Sequence, residues 1–407
     1  MSKIIFLGSP AHGHLNPTLP LVHELVQRGE QVLYYNQEAF RPQIERAGAA
    51  FCPYPANEVT SERITELMQH GNLANVSSLI LKGAEKLLPF TLQELEREQP
   101  DLVIFDSLVL WGKMAATQLG VPSMGSITHF ILDVASMRLT AREFFGMLRQ
   151  FLPAVPRLLL RRFRLQRRYP KAYPSKTPLF PICGDLNIVF TLKDLQAPVP
   201  LIDDTFRFVG PSIDPETRAA SGQPAIELPT EGTVVYISLG TIHNTNPDFY
   251  RACFDAFGSY PATFILSAGR QTDLNQLEPM PSNFIVRSSV QQLEVLQRAD
   301  AFITHGGMNS IHEGLYYGVP LIVVPQQFEQ LLNARTVAAQ GAGIVIDKQV
   351  MNKAITAADL RQALDQVMSE PTYRTAATAL QRNLHQAGGY RQAADEIQGF
   401  ISSRKAK

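Results

Sequence analysis

The sequence predicts an α/β protein made of two Rossmann-like, doubly wound parallel-sheet domains facing a cleft. Three observations predict it. Short apolar runs alternate with amphipathic stretches through both halves of the chain, the pattern of βαβ units. The 407 residues suit two domains of about 200 residues each. Periodicity breaks once, over 193–229, where Pro, Asp, Gly and Ser accumulate as in a linker.

The elements follow in order. Residues 3–7 read as a buried strand, apolar from Ile4 to Leu7, and a helix over 17–28 closes at Gly29. A strand over 31–35, a helix over 40–47 ended by Gly48, and a short strand over 50–53 come next. A long helical stretch over 76–98, a strand over 102–105, a helix over 111–119 and a strand over 123–126 continue the alternation. Residues 138–171 form a less regular helical insertion, rich in Phe, Leu and Arg, before a last strand over 186–190. The second half repeats the logic with strands over 233–238, 263–268, 284–287, 301–304, 321–324 and 343–346, and Gly341 suits a helix C-cap. Helices over 357–368, 373–386 and 390–401 end the chain. The domain boundaries are set at 1–205, a linker over 206–230, and 231–386.

Composition narrows the function classes. Lys plus Arg and Asp plus Glu are 37 each, so there is no overall basic field to favour nucleic acid. The first apolar run is too short for a signal peptide, and no run approaches the roughly 20 apolar residues of a membrane span. Cys52, Cys183 and Cys253 are odd in number and scattered, which fits a reducing compartment and a cytoplasmic location. Neither half carries Gly-x-Gly-x-x-Gly after its first strand, which disfavours a nicotinamide or flavin cofactor.

The densest chemistry lies between Ala299 and Gln330. An apolar run ends at Thr304, a Gly-Gly turn follows, and a helix opens near Asn309 and Ser310. A helix start bare of acidic side chains offers free N–H groups and the positive end of the dipole to a phosphate. His305, Asn309, Ser310, Glu313, Glu329 and Gln330 fall at strand ends and helix starts, where open parallel sheets bind ligands. Asn309, Ser310 and Glu313 share a helix face, so a diphosphate at the tip would bring a ribose near Glu313. Ser310-x-x-Glu313 is equally the pattern of a capping box. Ser238-Leu239-Gly240-Thr241 ends another strand with a glycine that lets a phosphate approach the backbone.

In the first half, His14 follows the first strand in a tight loop, with Asn16 placed to cap a helix beginning at Pro17. An imidazole there suits a general base; it could also bond only its own loop, or form a His12-x-His14 metal pair lacking a third ligand. Asp106 ends a strand of the same sheet and could orient that imidazole, or could merely cap the next helix.

Together these residues resemble the nucleotide-sugar-dependent glycosyltransferases of the GT-B fold. The likeness is to the bacterial macrolide-glycosyltransferase type, kin of the plant and animal UDP-glycosyltransferases. Gly13-His14-Leu15-Asn16-Pro17, Asp106, Ser238-Leu239-Gly240-Thr241 and His305 through Gln330 match in order and spacing, over nearly the whole chain. The resemblance implies an inverting, metal-independent hexosyl transfer, with His14 deprotonating an acceptor hydroxyl and Asp106 compensating the ring's charge. No Asp-x-Asp metal motif occurs in either half.

The resemblance further implies a donor site of Gly240, Thr241, Ser289, Val290, Gln292, His305, Gly307, Asn309, Ser310, Glu313, Glu329 and Gln330, with the last two on the sugar. It implies an apolar hydroxylated acceptor near Ser126, Thr128, His129 and Phe130, no cofactor, and a tail helix over 387–407 crossing back to the N-terminal domain. A monomer or weak dimer is expected. One departure concerns the base. Ser289 stands where many relatives carry a stacking aromatic ring, so recognition leans on backbone near Val290, and Glu313 on the ribose favours UDP over dTDP. A non-catalytic nucleotide-sugar binder and a GT-B sugar-nucleotide epimerase are the alternative functions. Finally, residues 157–168 place six arginines among apolar residues. The stretch through Lys171 is either the solvated face of an acceptor-domain helix or a surface for a membrane or an anionic, lipophilic acceptor.

Overall fold

A computed structural model of the chain describes residues 1–55, 73–133, 137, 139–174, 180–219, 226–240, 246–351 and 353–405. They form two compact units, Met1–Thr217 with Ala387–Lys407, and Arg218–Gln386.

The first unit is built on seven strands, β1 (Lys3–Leu7), β2 (Gln31–Asn36), β3 (Ala50–Pro53), β4 (Leu102–Asp106), β5 (Ser123–Ile127), β6 (Leu186–Val189) and β7 (Phe206–Phe208). They pair in parallel in the order β3-β2-β1-β4-β5-β6-β7. The central strands β1 and β4 are largely continuous apolar runs because helices cover both faces, and Ile4, Ile5, Phe6, Val103 and Phe105 are all solvent-inaccessible. The helices are α1 (His12–Leu15), α2 (Thr18–Gln27), α3 (Arg41–Arg46), α4 (Leu73–Glu98), α5 (Leu110–Leu119), α6 (Ala141–Phe151) and α7 (Val155–Arg168).

Two local expectations are corrected. The stretch 206–230 does not begin as linker, because β7 pairs with β6 and buries Phe206 against Ile127, Val189 and Val199. Three residues are too few to show a period, and a five-residue helix, α8 (Pro215–Ala219), follows. Asn16 does not cap a helix. Its backbone is helical (φ −53°, ψ −44°) and it ends the one-turn α1, so His14 sits on a helical turn rather than in a loop.

The second unit carries β8 (Val234–Ser238), β9 (Thr263–Ser267), β10 (Phe284–Arg287), β11 (Ala301–Thr304), β12 (Leu321–Val323) and β13 (Gly343–Val345). These are parallel in the order β10-β9-β8-β11-β12-β13. Its helices are α9 (Pro247–Phe257), α10 (Gln292–Arg298), α11 (Met308–Tyr316), α12 (Phe328–Ala339), α13 (Ala357–Ser369) and α14 (Pro371–Gln386).

The last helix, α15 (Gly389–Lys405), returns to the first unit. Ala393, Ala394, Ile397 and Ile401 join Leu15, Leu19 and Val22 in one buried cluster. Arg28 on α2 donates to Asp395 at 2.5 Å, and Arg207 to Glu396 at 3.1 Å. In each sheet the strand order reverses beside the first strand, between β1 and β4 and between β8 and β11. The carboxyl ends of those strands are where such sheets hold ligands. Among the described residues no helix is long and apolar enough to cross a membrane.

Candidate active site

At the switch point of the first sheet, the chain leaves β1 at Gly8, where a Cβ would stand 2.6 Å from Tyr34. It then turns through α1 and delivers His14 over the end of β4. His14 Nδ1 lies 2.7 Å from Asp106 Oδ2. The imidazole is 21% exposed and the carboxylate 2%. The other carboxylate oxygen, Oδ1, accepts the Leu108 N–H at 2.9 Å, which fixes the plane of the group. Helix α5 starts only at Leu110 with Val109 at its cap, so Asp106 supports the turn before the helix and orients His14 with the same side chain.

A carboxylate on Nδ1 holds the proton there and leaves Nε2 as the basic nitrogen. Thr128 Oγ1 lies 3.2 Å from the same Nδ1. His12 goes elsewhere, edge-on to Phe40 at 5.0 Å, so the His12-x-His14 spacing does not converge on one point. Among the described residues no three His, Cys, Asp or Glu side chains gather as a metal site.

The residues after β5 divide in role. Ser126, Thr128, His129 and Phe130 are all buried, and Thr128 lies within hydrogen-bonding distance of His14. His129 donates from Nδ1 to the Phe130 carbonyl at 2.9 Å, so its Nε2 accepts from the Ser107 hydroxyl, also at 2.9 Å. Its ring stacks on Phe180 at 4.2 Å and lies 6.3 Å from that of His14. Burial pushes its pKa down to about 4, keeping the ring neutral beside His14.

At the switch point of the second sheet, β11 ends at Thr304 and His305-Gly306-Gly307 leads into α11. Gly306 takes φ +85°, and a Cβ there would stand 2.6 Å from Val323. Gly307 is the N-cap, with no side chain bonded to the helix start and no acid in the first turn. Met308 is therefore the first helical residue, Asn309 and Ser310 follow inside the helix, and Ser310 with Glu313 is not a capping box. A helix start with no side-chain cap and no acid in its first turn keeps the electrostatics that suit a phosphate. The His305 ring is held between two glycines. A Cβ on Gly240 would meet it at 2.5 Å, and one on Gly307 at 2.4 Å. Thr241 lies outside the described residues.

Glu313 is buried and accepts from Gln292 Nε2 at 2.5 Å, and Gln292 in turn accepts from the Tyr236 hydroxyl at 3.1 Å. Val290 is buried and Ser289 half-buried ahead of α10. Glu329 is exposed, whereas Gln330 is buried and its side-chain oxygen accepts the N–H groups of Gln326 (2.8 Å) and Gln327 (3.2 Å). Gln330 thus builds the start of α12. Asn333 was not singled out from the sequence. It donates to the Gly306 carbonyl at 3.1 Å and to Glu329 at 3.3 Å, tying α12 to the glycine turn. Its spacing of four from Glu329 is the signal that could have found it.

Comparison with known proteins agrees with this layout. The model of the family described as UDP-glucoronosyl and UDP-glucosyl transferase matches residues 189–388. The NDP-glycosyltransferase YjiC of Bacillus subtilis (strain 168) is 34% identical, over 98% of this chain and 97% of its own. Among solved structures, the glycosyltransferase of kitacinnamycin superposes with a TM-score of 0.81 at 28% identity, covering 98% of each chain. The calicheamicin glycosyltransferase CalG4 does so with 0.79 at 27%, covering 100% of each. With its two switch-point sites and this likeness over its whole length, the chain belongs to the UDP-glucoronosyl and UDP-glucosyl transferase family and is a GT-B glycosyltransferase of the bacterial macrolide- and NDP-glycosyltransferase type.

Proposed function

We propose that the protein is an inverting O-glycosyltransferase that moves glucose from UDP-glucose to a hydroxyl of an apolar small molecule of macrolide, phenolic or terpenoid character. The observation that carries this reading is the 2.7 Å pair of His14 Nδ1 and buried Asp106. A non-catalytic binder has no use for a carboxylate aligned on an imidazole, so the pair favours transfer over that reading.

The acceptor O–H gives its proton to His14 Nε2 as the oxygen attacks the anomeric carbon of an α-linked donor. The bond from that carbon to the diphosphate breaks, and its electron pair leaves on the phosphate oxygen. Asp106 stays ionised and stabilises the imidazolium. His305, Asn309, Ser310 and the start of α11 meet the charge growing on the departing diphosphate with fixed dipoles. Glu313, held by Gln292 and Tyr236, takes the ribose hydroxyls, and Glu329 with the Gln330 amide takes the sugar. An oleandomycin glycosyltransferase of Streptomyces antibioticus among the relatives supports the apolar acceptor class.

The test is incubation of the purified protein with UDP- and dTDP-hexoses against a panel of macrolide, phenolic and terpenoid alcohols, read by mass spectrometry, with the anomeric configuration assigned by NMR. A β-glucoside formed with preference for UDP-glucose is expected. Retention of the α configuration, or nucleotide-sugar turnover without transfer to any acceptor, contradicts the reading.

A further inference from the structure

Helices α6 and α7 leave an apolar surface that the packing of the unit does not use. Among the described residues nine large hydrophobic side chains are exposed, and seven of them lie between 144 and 163: Phe144, Phe145, Leu148, Leu152, Leu159, Leu160 and Phe163. Phe145, Leu159 and Phe163 are 65%, 58% and 59% exposed. Scattered single apolar residues need no explanation, but a concentration on two consecutive helices does.

Helix α7 already has an inner face. Leu158 and Leu165 are buried in the same cluster as Leu81, Leu88 and Leu95 of α4, and Arg161 is ion-paired with Glu85. Leu159, Leu160 and Phe163 fall on the opposite side by helical spacing, so the helix is apolar twice over. A solvated face accounts for the exposed arginines of 157–168 but not for Leu159, Leu160 and Phe163.

Charge says what covers the surface. From Phe144 to Lys171 there is no acidic residue, against seven arginines and one lysine, in a chain whose net charge is zero. Arg157, Arg164 and Arg167 are exposed beside the apolar stripe. Long side chains of this kind lay their stems on apolar surface and keep their heads at a charged interface. A second copy of the chain would bring like charges together at this face. A small-molecule site is concave and encloses its ligand, whereas these side chains stand outward on a helix face, each more than a third exposed.

We propose that α6 and α7 form a docking surface for an anionic lipid bilayer, lying in the plane of the headgroups with Phe145, Leu159, Leu160 and Phe163 inserted and the arginines on lipid phosphates. The surface places the acceptor-binding unit where apolar acceptors partition, which extends the proposed function without depending on it.

Sedimentation of the full-length protein with phosphatidylcholine vesicles containing phosphatidylglycerol tests it, with pure phosphatidylcholine vesicles as the comparison. Binding to the anionic vesicles is expected, falling about fivefold for each of Arg157→Gln, Arg164→Gln and Arg167→Gln, and falling again at high salt. Leu159→Ser with Phe163→Ser should abolish it while circular dichroism and the thermal midpoint stay near those of the parent. No binding to anionic vesicles, equal binding to both vesicle types, or unchanged binding by the double variant overturns the proposal. A concentration-dependent dimer lost in the same double variant overturns it in favour of self-association.

Discussion

Asp106 holds two partners with its two oxygens, and the division makes a clean experiment possible. An asparagine there can still accept the Leu108 N–H through its oxygen, but its amide would face His14 Nδ1 and impose the wrong tautomer. Asp106→Asn should therefore lower kcat by roughly 10²- to 10⁴-fold with a thermal midpoint close to the parent's; full activity would remove Asp106 from the mechanism. That His14 and Asp106 lie at the same sheet edge was visible in the sequence, because strand ends mark ligand sites in parallel sheets. What was not visible was which of several polar residues after β5 faces His14, since Ser126, Thr128 and His129 look alike until side-chain directions are known.

His129 makes a second prediction at this scale. Its folded pKa is about 4, as is that of His312, both through burial, against about 6.5 for an unfolded histidine. Protonation is thus favoured in the unfolded chain, so the stability tied to these neutral rings is complete above about pH 6.5 and is lost as pH falls towards 4. Thermal melts across that window should show a falling midpoint, and His129→Gln should show a lower midpoint at neutral pH with a shallower acid limb. A wild-type midpoint constant over the window would contradict the buried, neutral assignment.

At the scale of elements, the proposed donor site rests on the glycine turn between β11 and α11. Gly306 combines φ +85° with a Cβ position 2.6 Å from Val323, so Gly306→Ala must both strain the backbone and displace a core side chain. A loss of about 1–3 kcal/mol in urea unfolding is expected, with weaker UDP binding by calorimetry. Unchanged UDP affinity would mean that the turn does not seat the diphosphate. Most elements were legible to within a residue or two because both faces of each sheet are covered and apolar runs are unambiguous. The errors fell where chain geometry, not composition, decides. Strand β7 is three residues long and α1 is a single turn, whereas the capping-box alternative at Ser310–Glu313 is removed by Gly307 at the N-cap.

For the whole molecule, α15 ties the last residues of the chain to its first unit. Ile397 is fully buried among residues of that unit's core, so Ile397→Ala should cost about 2–5 kcal/mol in urea unfolding. A cost near zero would mean that α15 is not part of the folded core. The two-sheet layout was legible from alternation alone, whereas the identity of the acceptor was not, since it depends on how buried side chains are disposed around His14. The most direct test of the central claim is the rate of glucosyl transfer by His14→Ala, measured beside its affinity for UDP. The account predicts unchanged UDP affinity and a rate lower by roughly 10²- to 10⁴-fold; full transfer by that variant would contradict it.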